Sequence, residues 1–487
     1  MIAKPDKITQ SLNNMATLPK KIFRAYDIRG LADKYLSSNN VFKIGQSIGS
    51  QLHELGEHSI LLGRDGRLSS PRIAEALAAG LRSTSCQVID LGQIPTPVLY
   101  FAIRHLNIAN GVVVTGSHNP AEYNGIKIVM QNACLHTNGI TALYDRIQAN
   151  QLIKGKQSTC QAVDIIPEYI TAVTAEIALK RRLRIALDCG NGATSLLAVS
   201  LFESLGCEVH PLYADLDGRF PNHSPDPTQP KNLHDLQTLV KSKNLDIGIA
   251  FDGDGDRMIA VDNHGNILWP DRIMAILAKH ILKTHPNRLV AFDVKCSQLL
   301  PQFIQQAGGI PSMCVSGHSL LKAHMKEHQA IMGGEFSGHI VLNDRNWSYA
   351  DDGLYVAARL LELIAESAQT TAELFAKLPD SYSTPEYKLY FDSYEAAQSA
   401  MQKLIKQSHW QGAELSLIDG IRVDFPDCWG LARASNTTPT ITLRFEAQST
   451  ERLEYIQALF RLNLSQLALA ITKYDGFELY RNLPLAS

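Results

Sequence analysis

Two spacings of hydrophobic residues alternate along the first three-quarters of the chain. Residues 59–65 form a short apolar run that predicts a β-strand. A helical spacing from Ser70 to Leu81 and a second apolar run at 87–90 follow. The same order of strand, helix and strand begins again near residues 184 and 289. Because this pattern recurs about every 100 residues, it predicts three α/β domains of similar topology with mixed sheets.

Each of these units closes with a further apolar strand that opens into a polar loop, at 112–120, 247–257 and 331–339. In α/β sheets, ligands bind at the carboxyl ends of the strands. We therefore expect the three polar loops to carry the chemistry of the protein.

The hydrophobic pattern changes beyond Leu378 and predicts a smaller α+β domain. Strands are predicted at 386–391, 414–418, 421–425 and 440–445, and helices at 393–407 and from 450 to about 469. The predicted units are a flexible N-terminal extension at 1–18, three α/β domains at 19–163, 164–266 and 267–378, and the C-terminal domain at 379–487.

Composition excludes several classes of protein. Lys and Arg number 46 and Asp and Glu 48, which gives a net charge of −2, so neither nucleic acid nor a membrane is an expected partner. The eight cysteines include no C-x-x-C pair, which argues against a zinc site or a disulfide framework. The polar N-terminus and the absence of a membrane-spanning apolar run indicate a cytoplasmic protein.

A serine lies on the turn that ends the third strand of the first unit, in the segment Thr115-Gly116-Ser117-His118-Asn119-Pro120. We expect an exposed hydroxyl there, with backbone N–H groups able to hold an anion. Most serines at such turns only cap the backbone. The G-x-S-x-G elbow of hydrolases does not fit, because Thr115 and Asn119 occupy its glycine positions.

Three aspartates alternate with glycines in Asp252-Gly253-Asp254-Gly255-Asp256-Arg257. Alternate residues of an extended loop point the same way, so the three carboxylates converge, and their oxygens suit Mg²⁺. An EF-hand is excluded, because Arg257 replaces its glycine and Asn263 its final glutamate. We expect this loop to face solvent.

Two further loops carry groups that suit a sugar phosphate. In the loop 333–339, Glu335 lies near Ser337 and His339, and a glutamate can accept hydrogen bonds from two neighbouring sugar hydroxyls. The segment 429–439 is interpreted as a polar loop that suits a phosphate monoester, because it combines a guanidinium with short hydrogen-bonding side chains. The residues concerned are Arg433, Ser435, Asn436 and Thr437.

Together these motifs identify a family resemblance. Thr-Gly-Ser-His-Asn-Pro, Asp-Gly-Asp-Gly-Asp-Arg, Gly-Glu-x-Ser-Gly-His and Arg-x-Ser-Asn-Thr follow one another in the order known from the α-D-phosphohexomutases. The opening Phe-Arg-Ala-Tyr-Asp-Ile-Arg-Gly at 23–30 and the segment 317–320 fit as well. From about residue 20 to its end, the chain most closely resembles the bacterial phosphomannomutase/phosphoglucomutase branch of that family.

The resemblance implies four domains around one central cleft and a monomer that acts on small-molecule hexose phosphates. Phosphate would move between the 1- and 6-positions of mannose and glucose through a phosphoserine and a 1,6-bisphosphosugar, with glucose 1,6-bisphosphate as activator. Ser117 would be the phosphoserine and would hold Mg²⁺ together with Asp252, Asp254 and Asp256.

The same resemblance implies roles for further residues. Catalytic roles fall to Ser117, Lys127, His339, Arg29, His118 and Arg257. Substrate-binding roles fall to Tyr26, Lys295, His318, Glu335, Ser337, Arg433, Ser435, Asn436 and Thr437. Phe336 departs from the branch, which more often has methionine there.

Three alternatives remain open at this point. A phosphoglucosamine mutase belongs to the same superfamily. A metal-dependent sugar phosphatase using Ser117 would release inorganic phosphate without isomerising the sugar. A non-catalytic sensor of sugar phosphates would not need both Ser117 and the aspartate loop.

Overall fold

A computed structural model describes residues 18–345, 347, 349–435, 438–465 and 470–477. The predicted N-terminal extension lies outside the described residues, except for its last residue, Leu18. Four β-sheets are present in the described part of the chain. None of the helices there is long and apolar enough to cross a membrane.

The first sheet has seven strands, and helices pack on both of its faces. The strands are β1 (Ile28–Leu31), β2 (Ser59–Arg64), β3 (Gln87–Gln93), β4 (Gly111–Val114), β5 (Tyr123–Met130), β6 (Ala133–Cys134) and β7 (Cys160–Ala162). The helices are α1 (Ala32–Tyr35), α2 (Ser38–Glu54), α3 (Ser70–Arg82), α4 (Thr96–His105) and α5 (Asn138–Gln148).

The second and third sheets have five and four strands. The second unit comprises α6 (Ile166–Glu176), β8 (Arg184–Asp188), α7 (Ala198–Ser204), β9 (Glu208–Leu212), α8 (His234–Lys243), β10 (Ile247–Phe251), β11 (Met258–Asp262) and β12 (Ile267–Leu268). The third comprises α9 (Pro270–Leu282), β13 (Leu289–Asp293), α10 (Leu299–Gln306), β14 (Ile310–Cys314), α11 (His318–Glu327), β15 (Met332–Gly334), β16 (Ile340–Leu342), α12 (Gly353–Glu366) and α13 (Thr371–Phe375).

The predicted threefold repeat is confirmed. In the first sheet β2 pairs in parallel with β3 and β4, and β5 runs antiparallel to β4. The same arrangement recurs with β8 to β11 and with β13 to β16. The polar loops that follow β4, β10 and β15 therefore leave equivalent strand ends.

The fourth unit is the predicted α+β domain, but its sheet has seven strands where four were expected. It comprises β17 (Tyr382–Ser383), β18 (Tyr387–Tyr390), α14 (Tyr394–Gln407), β19 (Glu414–Ser416), β20 (Ile421–Phe425), β21 (Cys428–Ala434), β22 (Thr440–Ala447), α15 (Thr450–Leu464) and β23 (Lys473–Asp475). The interpretation of 429–439 as one polar loop is wrong. Trp429 and Leu431 form a strand because they pack against Val294 of the third unit, so the loop begins only at Ser435.

The cores explain how the loops are held relative to one another. One buried apolar cluster contains Val113 of β4, Phe251 of β10 and Phe292 of β13, so the first three units share a core. The fourth unit has a separate cluster that includes Leu443 and Phe460. The first three polar loops are thus fixed by common packing, whereas the fourth unit depends on its own contacts with the third.

Candidate active site

Ser117 occupies the turn after β4 with a φ of +47°, in the left-handed region that non-glycine residues rarely adopt. Its hydroxyl donates to Asp252 Oδ2 at 2.8 Å and lies 3.2 Å from His118 Nδ1. The expectation of an exposed serine is wrong, because Ser117 is only 1% exposed. The loop after β10 covers it, and a Cβ at Gly253 would lie 2.4 Å from the Ser117 carbonyl oxygen.

Arg67 holds the turn in this conformation, and the sequence analysis missed it. Its guanidinium donates to the carbonyl oxygens of Ser117 (2.6 Å), Asn119 (2.7 Å), Pro120 (2.6 Å) and Tyr123 (3.0 Å). Asp65 pairs with Arg67 at 3.1 Å and accepts from the Gly116 N–H at the same distance. The polar end of β2, Gly63-Arg64-Asp65-Gly66-Arg67, was the available signal.

The three aspartates of the loop 252–257 converge as predicted. Asp252, Asp254 and Asp256 each offer a carboxylate oxygen, and these oxygens lie within 4.8 Å of one another. The expectation that the loop faces solvent is wrong, because all three side chains are buried between the first two units. Asp254 Oδ1 and Asp256 Oδ1 have no hydrogen-bond partner despite their burial. This donor set fits a hard divalent cation such as Mg²⁺.

Two cations offset the charge of these carboxylates. Lys127 Nζ donates to Asp254 Oδ2 at 2.7 Å and to Asp256 Oδ2 at 2.5 Å. Burial lowers the pKa of Lys127, but the aspartates outweigh burial and raise it well above its ordinary value. Arg257 Nε lies 3.9 Å from Asp252 Oδ2. Burial and the neighbouring carboxylates raise the pKa of Asp252 well above its ordinary value.

His339 is held in one tautomer by its two neighbours. Arg257 Nε donates to His339 Nε2 at 2.9 Å, and His339 Nδ1 lies 3.0 Å from Asp351 Oδ2. Because Arg257 can only donate, Nε2 is an acceptor and the ring proton belongs on Nδ1. Burial lowers the pKa of His339, and Arg257 adds to that effect against the opposing charge of Asp256.

Asp351 is a second site residue that the sequence analysis missed. Its Oδ2 also lies 3.1 Å from His318 Nδ1, and its Oδ1 accepts from Lys322 Nζ at 2.6 Å. With His318 and His339 it has the spacing of a metal group. Because Lys322 already balances this carboxylate, we interpret Asp351 as orienting the two stacked imidazoles. Asp352, the next residue, is the N-cap of α12, and this leaves Asp351 available to orient the imidazoles.

Arg29 and His118 lie beside the serine turn, as the resemblance implied. Arg29 donates to Asn119 Oδ1 at 2.7 Å and pairs with Asp27 at 2.5 Å. Burial and the nearby cations Arg257 and Arg29 lower the pKa of His118 well below its ordinary value. A neutral imidazole therefore lies 3.2 Å from the Ser117 hydroxyl, and a fixed guanidinium lies beside the turn that carries it.

The sugar-site candidates meet around Gly317. Glu335 Oε1 accepts from the Gly317 N–H, and Glu335 Oε2 accepts from Ser337 Oγ at 3.0 Å. The Tyr26 hydroxyl donates to the Ser316 carbonyl oxygen at 2.9 Å. Burial raises the pKa of Glu335. Lys295 Nζ lies 3.5 Å from Glu386 Oε1 and 3.8 Å from Asp293 Oδ2.

Arg433 lies near the end of β21 and is linked to the third unit through Asp419. Its Nε donates to Asp419 Oδ2 at 2.9 Å, and the same oxygen accepts from the Ser316 N–H at 3.1 Å. Ser435 Oγ accepts from the Thr438 N–H at 3.2 Å. Asn436 and Thr437 lie outside the described residues.

Models of the four domains of one protein family match successive parts of the chain. The phosphoglucomutase/phosphomannomutase models for alpha/beta/alpha domains I, II and III match residues 20–154, 167–265 and 269–382. The model for the C-terminal domain of the same proteins matches residues 390–462.

Individual relatives cover almost the whole chain. A phosphomannomutase/phosphoglucomutase of Pseudomonas aeruginosa is 46% identical over 450 residues, which are 92% of this chain and 96% of the relative. A phosphoglucomutase of Neisseria meningitidis is 41% identical over 92% of this chain and 97% of its own length. The crystal structure of a phosphoglucomutase/phosphomannomutase family protein from Burkholderia thailandensis has a TM-score of 0.88 and 40% identity, covering 94% of this chain and 99% of that one.

Proposed function

The chain belongs to the phosphoglucomutase/phosphomannomutase family, and we propose that it transfers phosphate reversibly between the 1- and 6-positions of glucose and mannose phosphates. It is then an isomerase whose phosphate carrier is Ser117. The observation that carries this proposal is the 2.8 Å hydrogen bond from the Ser117 hydroxyl to the buried aspartate loop. The bond places a nucleophile beside a group of carboxylates that suits a cation.

In the proposed cycle the resting enzyme carries a phosphate on Ser117. The bond between phosphorus and Ser117 Oγ breaks, a bond from phosphorus to a hexose hydroxyl forms, and a 1,6-bisphosphosugar results. After the sugar turns around, its other phosphate returns to Ser117 and regenerates the phosphoenzyme. A bisphosphosugar such as glucose 1,6-bisphosphate would supply the first phosphate.

Charge neutralisation and in-line positioning are the main requirements of phosphoryl transfer. Asp252, Asp254, Asp256 and a phosphoseryl oxygen would hold Mg²⁺, which would neutralise charge on the phosphate when bound. Arg257 and the serine turn would supply further charge and backbone N–H groups. The unpartnered Asp254 Oδ1 and Asp256 Oδ1 support this assignment.

Proton transfer is assigned to residues around the hydroxyl that reacts. His339 would act as a general base through Nε2 once Arg257, which donates to that nitrogen at 2.9 Å, turns to the phosphate, with the ring proton on Nδ1 facing Asp351. Lys127 is a second candidate by position, because its Nζ donates to Asp254 and Asp256, although its raised pKa keeps it protonated and favours charge neutralisation over proton transfer. Arg29 and His118 would orient the serine turn and its phosphate.

Substrate binding is assigned to the third and fourth units. Glu335 and Ser337 would bind hydroxyls at C3 and C4, which glucose and mannose share, so both sugars would be accepted. The non-reacting phosphate would bind to Arg433, Ser435, Asn436 and Thr437. Tyr26, Lys295 and His318 would line the sugar site.

Domain boundaries near residues 163, 266 and 378 would then separate four domains with different functions. The first unit would carry the phosphoserine, the second the metal, the third the sugar site and the fourth the phosphate site.

A coupled assay with glucose 1-phosphate and mannose 1-phosphate tests this function. We expect both sugars to be converted to their 6-phosphates in the presence of Mg²⁺ and a trace of glucose 1,6-bisphosphate. Release of inorganic phosphate without isomerisation would instead support a phosphatase. Strong preference for glucosamine 1-phosphate would support a phosphoglucosamine mutase.

A further inference from the structure

Two arginines of the fourth sheet hold the backbone that carries Lys295. Arg422 NH1 donates to the carbonyl oxygens of Val294 and Cys296, each at 2.7 Å. Arg444 NH1 donates to the carbonyl oxygen of Lys295 between them. Three consecutive carbonyl groups of the third unit therefore accept hydrogen bonds from β20 and β22.

Both guanidinium groups are buried against aromatic rings. Arg422 is 1% exposed, and its guanidinium carbon lies 3.9 Å from the ring centre of Trp429. Arg444 is 2% exposed and lies 3.3 Å from the ring centre of Phe336. Burying two charges costs free energy that an apolar contact would not. The two arginines are therefore better suited to fixing the relative position of the third and fourth units than to stabilising their association.

Phe336 connects this pair of arginines to the sugar loop. Its ring lies between Arg444 and Trp269, whose ring centre is 5.6 Å away. Its backbone N–H donates to Asp293 Oδ1 at 3.1 Å, and it directly follows Glu335. A cavity of about 560 Å³ borders Phe336 and Arg444. The ring would have room to shift into this cavity if the guanidinium were removed.

We infer that Arg422 and Arg444 are positioning residues that fix the sugar-binding loops relative to the phosphate-binding loop. The inference rests on the proposed function, because it concerns how that site grips its substrate. Strand β21, which carries Arg433, lies between β20 and β22. The sheet that presents Arg433 thus also holds the backbone of Lys295 and the residue beside Glu335. These hydrogen bonds help to set the spacing between the two binding groups, together with the bond from the Ser316 N–H to Asp419.

Changing either arginine is therefore expected to weaken substrate binding without slowing catalysis. Neither arginine contacts Ser117, the three aspartates or His339 through any hydrogen bond or ion pair among the described residues. Loosening Arg444 should therefore raise the KM for glucose 1-phosphate and leave kcat nearly unchanged.

Arg444→Gln tests this inference directly. We expect KM to rise about tenfold and kcat to change by less than about threefold, given the usual strength of a desolvated cation–π contact. Arg452→Gln is the matched control. Arg452 also stacks on a ring, 4.1 Å from the centre of Tyr455, and pairs with Asp427 at 2.7 Å, but both partners belong to the fourth unit.

Phe336→Met supplies a second variant if Arg444→Gln fails to fold. Methionine keeps an apolar contact for the guanidinium, so its KM should stay within about threefold of wild type. Phe336→Ala should raise KM about as much as Arg444→Gln, and the double variant should add little to either. Additive effects would show that the stack does not position the loop.

Direct binding separates failure of the inference from failure of the proposed function. Calorimetry with glucose 6-phosphate should show weaker affinity for Arg444→Gln and unchanged affinity for Arg452→Gln. If the wild type bound the sugar phosphate without isomerising it, the proposed function would fail while the positioning role could still be measured. Wild-type KM and affinity in Arg444→Gln would overturn the inference.

Discussion

The two halves of the site differ in how their residues are connected. On the catalytic side, functional groups bond to one another directly, as Ser117 does to Asp252 at 2.8 Å and Lys127 to Asp254 at 2.7 Å. On the binding side, the hydrogen bonds of the described residues link Arg433 to the sugar loops through Asp419 and the Ser316 N–H. The difference indicates that phosphoryl transfer depends on contacts between neighbouring loops. Substrate affinity depends instead on how whole sheets are placed relative to one another.

The largest expected effect lies on the catalytic side. Ser117→Ala should lower mutase turnover by several orders of magnitude, because the phosphate carrier is lost. Ser85→Ala is the control, since Ser85 also has a positive φ (66°) but is exposed at the opposite end of the strands. Retention of most turnover by Ser117→Ala, with no bisphosphosugar added, would mean that no covalent intermediate forms on this residue.

A second large effect is expected for the metal loop. Asp254→Asn should weaken Mg²⁺ binding by at least about a hundredfold, because one of three converging carboxylates is removed. Thermal melts with increasing Mg²⁺ measure this, since a cation that binds only the folded state raises Tm. Asp262→Asn is the control, because that carboxylate bonds to the turn amides of His264 and Asn266. A Mg²⁺-induced rise in Tm equal to that of wild type would contradict the assignment.

An intermediate effect is expected on the binding side. Arg433→Ala should cost about 2–4 kcal/mol of binding free energy, as for truncating one partner of a hydrogen-bonded charge pair. If one pocket holds the non-reacting phosphate in both orientations of the sugar, glucose 1-phosphate and glucose 6-phosphate should lose affinity equally. Calorimetry with each ligand checks this, and loss for only one of them would indicate two phosphate pockets.

The smallest effect concerns the support of the metal loop. The Pro225 carbonyl accepts from the Gly253 N–H at 3.1 Å, and His223 nearby pairs with Asp188 at 3.1 Å. Burial lowers the pKa of His223, but Asp188 outweighs burial and raises it. The raised pKa stabilises the fold at pH below the ordinary histidine value of about 6.5, and this stabilisation is lost as pH rises through the folded-state pKa.

His223→Gln should therefore lower the unfolding free energy by no more than about 1 kcal/mol, and by more at pH 5.5 than at pH 8.5. Chemical denaturation at the two pH values measures the difference. An equal loss at both values would show that the charge of His223 does not contribute.

Sequence reasoning succeeded where neighbours in sequence form the feature. The aspartates at 252, 254 and 256 converge because alternate positions of one loop face the same way, and the repeat of strands predicted the first three sheets. It was wrong about exposure, because the loop after β10 covers Ser117 and the first unit covers the aspartates. Burial by another unit leaves no local pattern.

The residues that the sequence did not reveal were missed for the same reason, which is that their contacts join distant parts of the chain. Arg67 binds carbonyl groups about 50 positions away in sequence, and Arg444 binds that of Lys295, a separation of 149. Asp351 pairs with Lys322, 29 positions away, and with His318. Strand β21 was taken for a loop because its burial depends on Val294 of another unit. None of these contacts can be inferred from spacing along the chain.

The central claim is that Ser117 carries the phosphate that the sugar receives. Enzyme first phosphorylated with glucose 1,6-bisphosphate and then freed of sugar should be mixed with one equivalent of glucose 6-phosphate and quenched within the first half of the turnover, before the bisphosphosugar returns a phosphate, and the protein and sugar should then be analysed by mass spectrometry. We predict that the peptide containing Ser117 loses its phosphate as an equal amount of glucose 1,6-bisphosphate appears. Phosphate on another residue, or its appearance as inorganic phosphate, would contradict the account.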